Sequence, residues 1–127
     1  MPRIVIDLDD TQTVDATAPD YPSKQPNPVV VGKLREYRAA GFEIVIYSAR
    51  NMRTYNGSVG HITAHTAPGI IEWLKRHDIP YDELHIGKPW CGDGGFYVDD
   101  KAVRPDEFAA LSYDDVLVLI GGPKASP

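Results

Sequence analysis

Carboxylates cluster directly after the first apolar run of the chain. In "MPRIVIDLDDTQTV", Asp7, Asp9 and Asp10 stand within four residues, and Thr11 follows them. Like charges this close repel one another, so a purely structural stretch would rarely gather three of them. A divalent cation or a lysine neutralises such a group and holds the carboxylates ionised. The cluster predicts a site that binds a cation. The alternative is a solvated loop in which Asp10 caps a helix or a turn.

Three further apolar runs end in polar residues of complementary chemistry. "FEIVIYS" ends at Ser48 and leads to Arg50 and Asn51, "ELHIG" leads to Lys88, and "GFYVDD" ends at Asp99 and Asp100. Mg²⁺ takes carboxylate, phosphate and water oxygens as ligands. Lysine and arginine neutralise phosphoryl oxygens, and a serine hydroxyl can donate to one of them. The combined set suits a Mg²⁺ ion and a phosphate group.

The apolar runs predict strands, and capping residues between them mark helices. Strands are predicted over 3–8, 42–48, 83–87 and 95–100, the first of them fully buried. Helices are predicted from Pro28, capped by Asn27, to a stop at Gly41; from Thr66 to about His77; and over "SYDDVLVLIGG", capped by Ser112. Segments 12–27 and 50–65 are predicted to be irregular.

Strands that alternate with amphipathic helices predict a three-layer α/β domain with a parallel sheet covered on both faces. In such a sheet, ligands bind outside the carboxyl ends of the strands. Because the clustered aspartates, Ser48, Arg50, Lys88 and the aspartate pair all follow strands, we expect them to converge at one edge.

The bulk composition limits the classes of partner. A length of 127 residues predicts a single domain over 1–127. A net charge of −5 argues against a nucleic-acid or anionic-membrane partner, because neutralising phosphates needs a basic face. No run approaches the ~20 apolar residues of a membrane helix, and no signal segment is evident. The single Cys91 fits a reducing, cytoplasmic location.

Four motifs in order resemble those of the haloacid dehalogenase (HAD) superfamily of phosphotransferases. "DLDDT" resembles the first motif, "IVIYS" the second, Lys88 the third and "FYVDD" the fourth, so that the resemblance covers residues 3 to about 103. It implies a Rossmann-like HAD domain with a mainly parallel sheet. No cap domain is expected, because neither 12–27 nor 51–65 is long enough for one.

The resemblance also implies roles for individual residues. Asp7 would be the nucleophile that forms an aspartyl-phosphate, and Asp9 the general acid and base, its backbone carbonyl also binding Mg²⁺. Ser48 and Lys88 would hold the phosphoryl group, with Lys88 also steadying Asp7. The Mg²⁺ ligands that it implies are Asp7, Asp9, Asp99 and Asp100, with Asp100 either a direct ligand or bound through water. Thr11, Arg50 and Asn51 are further candidate substrate contacts, with a salt-bridging surface arginine as the alternative for Arg50.

The finer sequence texture is similar to small HAD-like proteins of capsule and surface-polysaccharide biosynthesis. The expected function is therefore a magnesium-dependent phosphatase acting on a small phosphorylated metabolite, a sugar phosphate in polysaccharide biosynthesis. One departure is Gln12, where an apolar residue is usual; it either opens the site to a polar ligand or belongs to a solvated loop. Because a capless site is poorly shielded from water, we also expect self-association into a homo-oligomer.

Other interpretations stay open on the sequence alone. A receiver-like phosphoacceptor domain also groups acidic residues after the first strand, although here Ser48 ends the central strand. A nucleic-acid end phosphatase of the same superfamily would want a basic face that this chain lacks. A catalytically silent scaffold would not need the full set of motifs. His61 and His65, with Asp99, suggest either a transition-metal site or substrate contacts.

Overall fold

Two compact units, residues 1–90 and 91–127, make up the computed structural model of the protein. It describes residues 2–14, 18 and 20–123. The first unit carries the sheet, and the second contributes two short helices. Within the described residues, no helix has both the length and the apolar character needed to cross a bilayer. The single domain over 1–127 stays a prediction.

A three-stranded parallel sheet forms the centre of the first unit. The elements of the first unit, in chain order, are β1 Arg3–Ile6, β2 Thr13–Val14, β3 Gln25–Pro26, α1 Pro28–Ala39, β4 Glu43–Ser48, α2 Val59–His65, α3 Ala67–Arg76 and β5 Glu83–Ile86. The sheet has the order β1-β4-β5, with Ile6 paired to Ile46 and Ser48 to Ile86. Helical segments connect these parallel strands, so the predicted α/β class with a Rossmann-like, mainly parallel sheet is confirmed.

The first helix forms for reasons visible in the sequence. The Asn27 side chain accepts hydrogen bonds from the backbone N–H groups of Val29 and Val30, and Pro28 stands at the first helical position. Gly41 adopts a φ of 95°, which ends the helix without steric cost. The predicted helices from Pro28 and from Thr66, and the predicted strands over 42–48 and 83–87, are confirmed to within a few residues.

Three expectations for the first unit were wrong. β1 lies at an edge of the described sheet and is not fully buried, since Val5 is 60% exposed. Segment 12–27 contains the short antiparallel pair β2–β3. Segment 50–65 contains α2, whose Ser58 cap accepts from the backbone N–H of His61 and whose Ile62 is fully buried. One buried anchor in seven residues leaves no helical periodicity to detect.

The second unit consists of turns and the helices α4 Pro105–Ala110 and α5 Tyr113–Leu119. The closing helix is confirmed, with the Ser112 hydroxyl accepting from the backbone N–H of Asp115 at 3.2 Å. The predicted strand over 95–100 is wrong, because these residues form no strand and Phe96 and Val98 are 79% and 87% exposed. Glycines at 92, 94 and 95 raise the entropic cost of ordering this segment as a strand.

A buried tryptophan ties an irregular segment to the core of the first unit. Trp73 on α3 is 2% exposed, and its indole N–H donates to the backbone carbonyl of Lys24 at 2.8 Å. Arg76, one turn further on, donates to the carbonyl of Pro22 at 3.1 Å. The segment from residue 20 to 26 is thereby fixed against α3, which determines where its side chains point.

A carboxylate links α1, β4 and the approach to β5. Asp82 accepts from the backbone N–H of Ile44 at 2.8 Å and from the Arg38 guanidinium at 3.0 Å. Hydrogen bonds from Arg38 first, and then from Ile44, hold the pKa of Asp82 below its usual 3.8. A lowered pKa in the folded state adds stability above pH 3.8, which is lost as the pH falls through the lowered value.

Asp82→Asn is therefore expected to lower the melting temperature near neutral pH, and to lower it less as the pH falls below 3.8. Thermal unfolding followed by circular dichroism at both pH values measures the difference. Asp93→Asn, at an exposed position, is the matched control. Equal melting temperatures for Asp82→Asn and the wild type near neutral pH would refute this assignment.

Candidate active site

A tight turn after β1 presents the carboxylate cluster. The backbone N–H groups of Thr11, Gln12 and Thr13 all point at the carbonyl of Leu8, at 3.3, 2.9 and 3.2 Å. Leu8 is fully buried and anchors the turn, while Asp10 takes a left-handed φ of 58°. An aspartate tolerates this conformation better than most residues. The turn thus leads the chain back past the end of β1, with its aspartates beside that end.

Asp7 is a partly buried carboxylate with one nearby cation. The Thr11 hydroxyl donates to its Oδ2 at 3.1 Å, and the Lys88 Nζ lies 3.8 Å from its Oδ1. Burial raises the pKa of the Asp7 carboxyl above its usual value, while the charge of Lys88 opposes this rise. Burial therefore outweighs the charge of Lys88 in setting the pKa of this carboxyl.

The carboxyl ends of β4 and β5 bring a hydroxyl and a lysine together. The backbone N–H of Lys88 donates to the carbonyl of Ser48 at 3.1 Å, and Ser48 is 1% exposed. The Ser48 Oγ accepts from the backbone N–H of Arg50 at 3.1 Å, which leaves its hydroxyl proton able to serve an acceptor. Gly87 reaches Lys88 through a φ of 84°, and a side chain there would crowd Val59 at 3.0 Å.

Asp9 receives two cations from two separate segments. Arg50 donates from Nη2 to Oδ1 at 2.7 Å and from Nε to Oδ2 at 3.1 Å. Lys24 donates to the same Oδ1 at 2.9 Å. The ring of Tyr21 lies 4.1 Å from the Arg50 guanidinium carbon and 4.7 Å from the Lys24 Nζ. Sequence reasoning missed Tyr21 and Lys24, because nothing in an irregular segment signals which side chains turn inward.

Asn51, a predicted substrate contact, is engaged within its own loop. Its Oδ1 accepts from the Thr66 hydroxyl at 2.8 Å, and its Nδ2 donates to the Thr54 hydroxyl at 3.1 Å. Its φ of 61° is left-handed, which asparagine adopts more readily than most residues. These contacts tie the loop after β4 to the start of α3. A role of Asn51 in substrate binding stays a prediction.

Gln12 supports the nucleophile candidate from beneath. It is fully buried, so the solvated-loop interpretation was wrong. Its Nε2 donates to the backbone carbonyl of Asp7 at 2.8 Å, while its Oε1 is buried without a hydrogen-bond partner among the described residues. A polar residue in a place where an apolar one is usual was the only sequence signal of this contact.

Gln12→Leu is expected to leave the free energy of unfolding within about 1 kcal/mol of the wild type, because losing one hydrogen bond is offset by removing a buried, unsatisfied oxygen. Gln12→Glu places a charge in the same buried position and should destabilise the protein strongly. Denaturant unfolding measures both, with the exposed Gln25→Leu as control. A loss above about 2 kcal/mol for Gln12→Leu would show that Oε1 is not a liability.

The Asp7 carboxylate and the backbone carbonyl of Asp9 are hard oxygens, the type of donor that Mg²⁺ takes. Asp99 and Asp100 lie exposed in the second unit, where the Asp99 Oδ1 accepts from the backbone N–H of Lys101 at 2.9 Å. Among the residues that the structure describes, no three His, Cys, Asp or Glu side chains group as a metal site. Metal binding by Asp7, Asp9, Asp99 and Asp100 stays a prediction.

The two histidines of α2 stack on one another. The rings of His61 and His65 lie 6.2 Å apart, and that of Tyr55 lies 5.9 and 5.8 Å from them. Both histidines are exposed. This arrangement gives a small ring surface on the segment that follows Arg50, and a role for it in binding stays a prediction.

The chain is similar to one solved structure over nearly its whole length. A structural-genomics target from Vibrio cholerae, known from its crystal structure, is 52% identical, with a TM-score of 0.92 over 95% of this chain and 98% of that one. The chain belongs to the family of this protein. No family model matches, and no curated protein matches. The assignment of the site residues therefore depends on their geometry alone.

Two structures of a Pnkp1/Rnl/Hen1 RNA repair complex show a remote likeness. Their matching chains are 19% and 16% identical, with TM-scores of 0.49 and 0.48. The match covers 87% and 92% of this chain but only 34% and 31% of those chains. A likeness at this level carries no functional information.

Proposed function

We propose that this protein is a HAD-type, magnesium-dependent phosphatase that hydrolyses a small phosphorylated metabolite. The observation that supports this most directly is the meeting of three strand ends. The Lys88 Nζ lies 3.8 Å from Asp7, and its backbone N–H bonds the carbonyl of Ser48. A carboxylate, a hydroxyl and an ammonium at one sheet edge form the set needed to attack and hold a phosphoryl group.

In the proposed reaction, an Asp7 oxygen attacks phosphorus, a P–O bond to Asp7 forms, and the P–O bond to the leaving group breaks. Asp9 gives the leaving oxygen its proton, then takes a proton from the water that hydrolyses the aspartyl-phosphate. Lys88 and Ser48 hold the phosphoryl oxygens throughout. Bound Mg²⁺ supplies further neutralisation of negative charge. The products are inorganic phosphate and the alcohol.

The surroundings of Asp7 suit a positioned nucleophile. Thr11 donates to one carboxylate oxygen, and Gln12 holds the backbone carbonyl from the buried side. Fixing both the side chain and the main chain restricts Asp7 to one orientation before substrate arrives, which is where much of the advantage in phosphoryl transfer originates.

A small sugar phosphate fits the surroundings of this site better than a nucleic acid does. The net charge of −5 gives no long-range attraction for a polyanion. The segment after Arg50 also carries hydroxyl and imidazole groups, namely Tyr55, Ser58, His61 and Thr63. Such groups match the hydroxyls of a sugar. The similarity to polysaccharide-biosynthesis proteins also favours a sugar phosphate. Self-association of the protein stays a prediction.

The test is a comparison of kcat/KM for hexose, heptose and keto-sugar-acid phosphates with that for end-phosphorylated oligonucleotides and an aryl phosphate. We expect a sugar phosphate to be preferred over an oligonucleotide by at least about tenfold, roughly 1.4 kcal/mol of transition-state stabilisation. An oligonucleotide preferred by the same factor would favour the nucleic-acid end phosphatase instead. Transfer of phosphate to the protein without turnover would favour a receiver-like phosphoacceptor.

A further inference from the structure

Asp9, the proposed general acid and base, has both of its oxygens occupied by charged donors. Arg50 and Lys24 share Oδ1 at 2.7 and 2.9 Å, and Arg50 also reaches Oδ2 at 3.1 Å. Hydrogen bonds between charged groups are short and strong. Because Asp9 already engages both cations, a second carboxylate that enters the site would compete with Asp9 for the same donors.

We propose that Arg50, Lys24 and Tyr21 form a subsite for a carboxylate of the substrate, and that the substrate is a phosphorylated acid whose carboxylate draws these donors from Asp9. The inference rests on the proposed function, because it assigns the substrate class of the same site. Binding then coincides with the loss of these hydrogen bonds to Asp9. A phosphate ester without an acid group leaves the donors on Asp9.

The donors already show the geometry that a carboxylate requires. Arg50 donates to Asp9 through Nε and Nη2, a pair of donors whose spacing matches the two oxygens of a carboxylate. Its side chain is 4% exposed and that of Lys24 is 11% exposed, whereas that of Asp9 is 24% exposed. A ligand therefore approaches the cluster from the side of Asp9, and it meets the two cations only where Asp9 now binds them.

The cluster is held in place by contacts that do not involve Asp9. Tyr21 packs its ring against both cations, at 4.1 Å from the Arg50 guanidinium and 4.7 Å from the Lys24 Nζ. The carbonyl of Lys24 accepts from the buried Trp73, and the backbone N–H of Arg50 donates to Ser48. Donors fixed in this way can change partners without a rearrangement of the backbone, which favours binding of a second carboxylate.

Lys24 and Tyr21 have different roles at the subsite. Lys24 contacts the substrate acid directly in this proposal, whereas Tyr21 is a positioning residue for both cations. Replacing either should reduce the preference for an acid over its neutral counterpart. The neutral ester of each pair is the reference, because it does not use the subsite and reports separately any effect of the substitution on Asp9.

The experiment measures kcat and KM with three matched pairs, namely phosphoglycolate and ethyl phosphate, phosphoglycerate and glycerol phosphate, and glucuronic acid phosphate and glucose phosphate. The proteins are the wild type, Lys24→Met, Lys24→Arg and Tyr21→Leu. Exposed Lys75→Met and Tyr113→Leu, the latter residue as exposed as Tyr21 at 40%, are the controls. We expect the wild type to prefer the acid of at least one pair by about tenfold or more in kcat/KM.

Lys24→Met should abolish that preference mainly by raising KM for the acid, Lys24→Arg should restore most of it, and the controls should keep it. The proposal is overturned if no pair shows a preference, or if Lys24→Met keeps it unchanged. A binding arm separates this from failure of the proposed function. On an Asp7→Asn background, the calorimetric affinity for the tightest-binding of the three acid phosphates should fall with Lys24→Met even if no turnover is ever observed, and equal affinities would refute the subsite.

Discussion

Asp7→Asn is expected to reduce phosphate release from every substrate of the wild type by at least about 10³-fold, because an amide oxygen does not attack phosphorus at a useful rate. The variant keeps the shape of the side chain, so the hydrogen bond from Thr11 and the contact of Gln12 with the backbone carbonyl can persist. Initial rates in the presence of Mg²⁺ measure the loss. Lys75→Met, an exposed change on α3, is the control for handling and purity.

The same variant should be as stable as the wild type or more stable near neutral pH. Burial raises the pKa of Asp7 above 3.8, so the folded state holds this proton more tightly than the unfolded state does. Stability is therefore lost as the pH rises from 3.8 through the raised value, and Asp7→Asn removes that loss. Melting temperatures in chelator should diverge above pH 3.8 and agree below it. A variant that unfolds, or that still turns over, would contradict these two expectations.

Removal of divalent metal is expected to have an effect of comparable size. Under the proposed function, excess chelator should abolish phosphate release, and added Mg²⁺ should restore it. Among the described residues, Lys88 alone forms an ion pair with the partly buried Asp7, and one cation does not offset both its charge and that of an incoming phosphate. The metal-free protein should remain folded. Chelator and Mg²⁺ titrations of initial rate measure this directly.

Asp99→Ala tests the implied fourth motif within the same experiment. We expect it to raise the Mg²⁺ concentration for half-maximal rate by at least about tenfold, the usual scale for losing one ligand contribution. Asp93→Ala, an exposed aspartate of the same unit, is the matched control and should behave as the wild type. Full activity in chelator, or stoichiometric zinc in the purified protein, would rule out the magnesium assignment and return attention to His61 and His65.

The strand ends of the candidate site were predictable because their signals are local. A short apolar run followed at once by Asp7, Ser48 or Lys88 fixes both the element and the position of the polar residue along it. Parallel pairing then brings successive carboxyl ends to one edge, as the registers of β1 with β4 and β4 with β5 show. The Asn27 cap and the Ser112 cap were visible for the same reason.

The remainder depends on contacts between distant residues. An apolar run such as 95–100 predicts a strand only if a partner strand accepts it, and its sequence does not identify that partner. The orientation of Lys24 depends on its backbone carbonyl, which accepts a hydrogen bond from the indole N–H of Trp73, 49 residues further along the chain. Arg50 was identified, but its contact with Asp9 spans 41 residues and was not foreseen. Gln12 was noticed as unusual, while its burial became clear only from the fold.

Trapping the aspartyl-phosphate shows whether Asp7 accepts the phosphoryl group. The wild-type protein is mixed with its preferred substrate and Mg²⁺, quenched within one turnover, reduced with borohydride and digested for peptide mass analysis. We expect homoserine in place of aspartate at position 7, and no such change in Asp7→Asn or without substrate. Phosphate release accompanied by an unmodified Asp7, or by an adduct on His61, His65 or another aspartate, would contradict it.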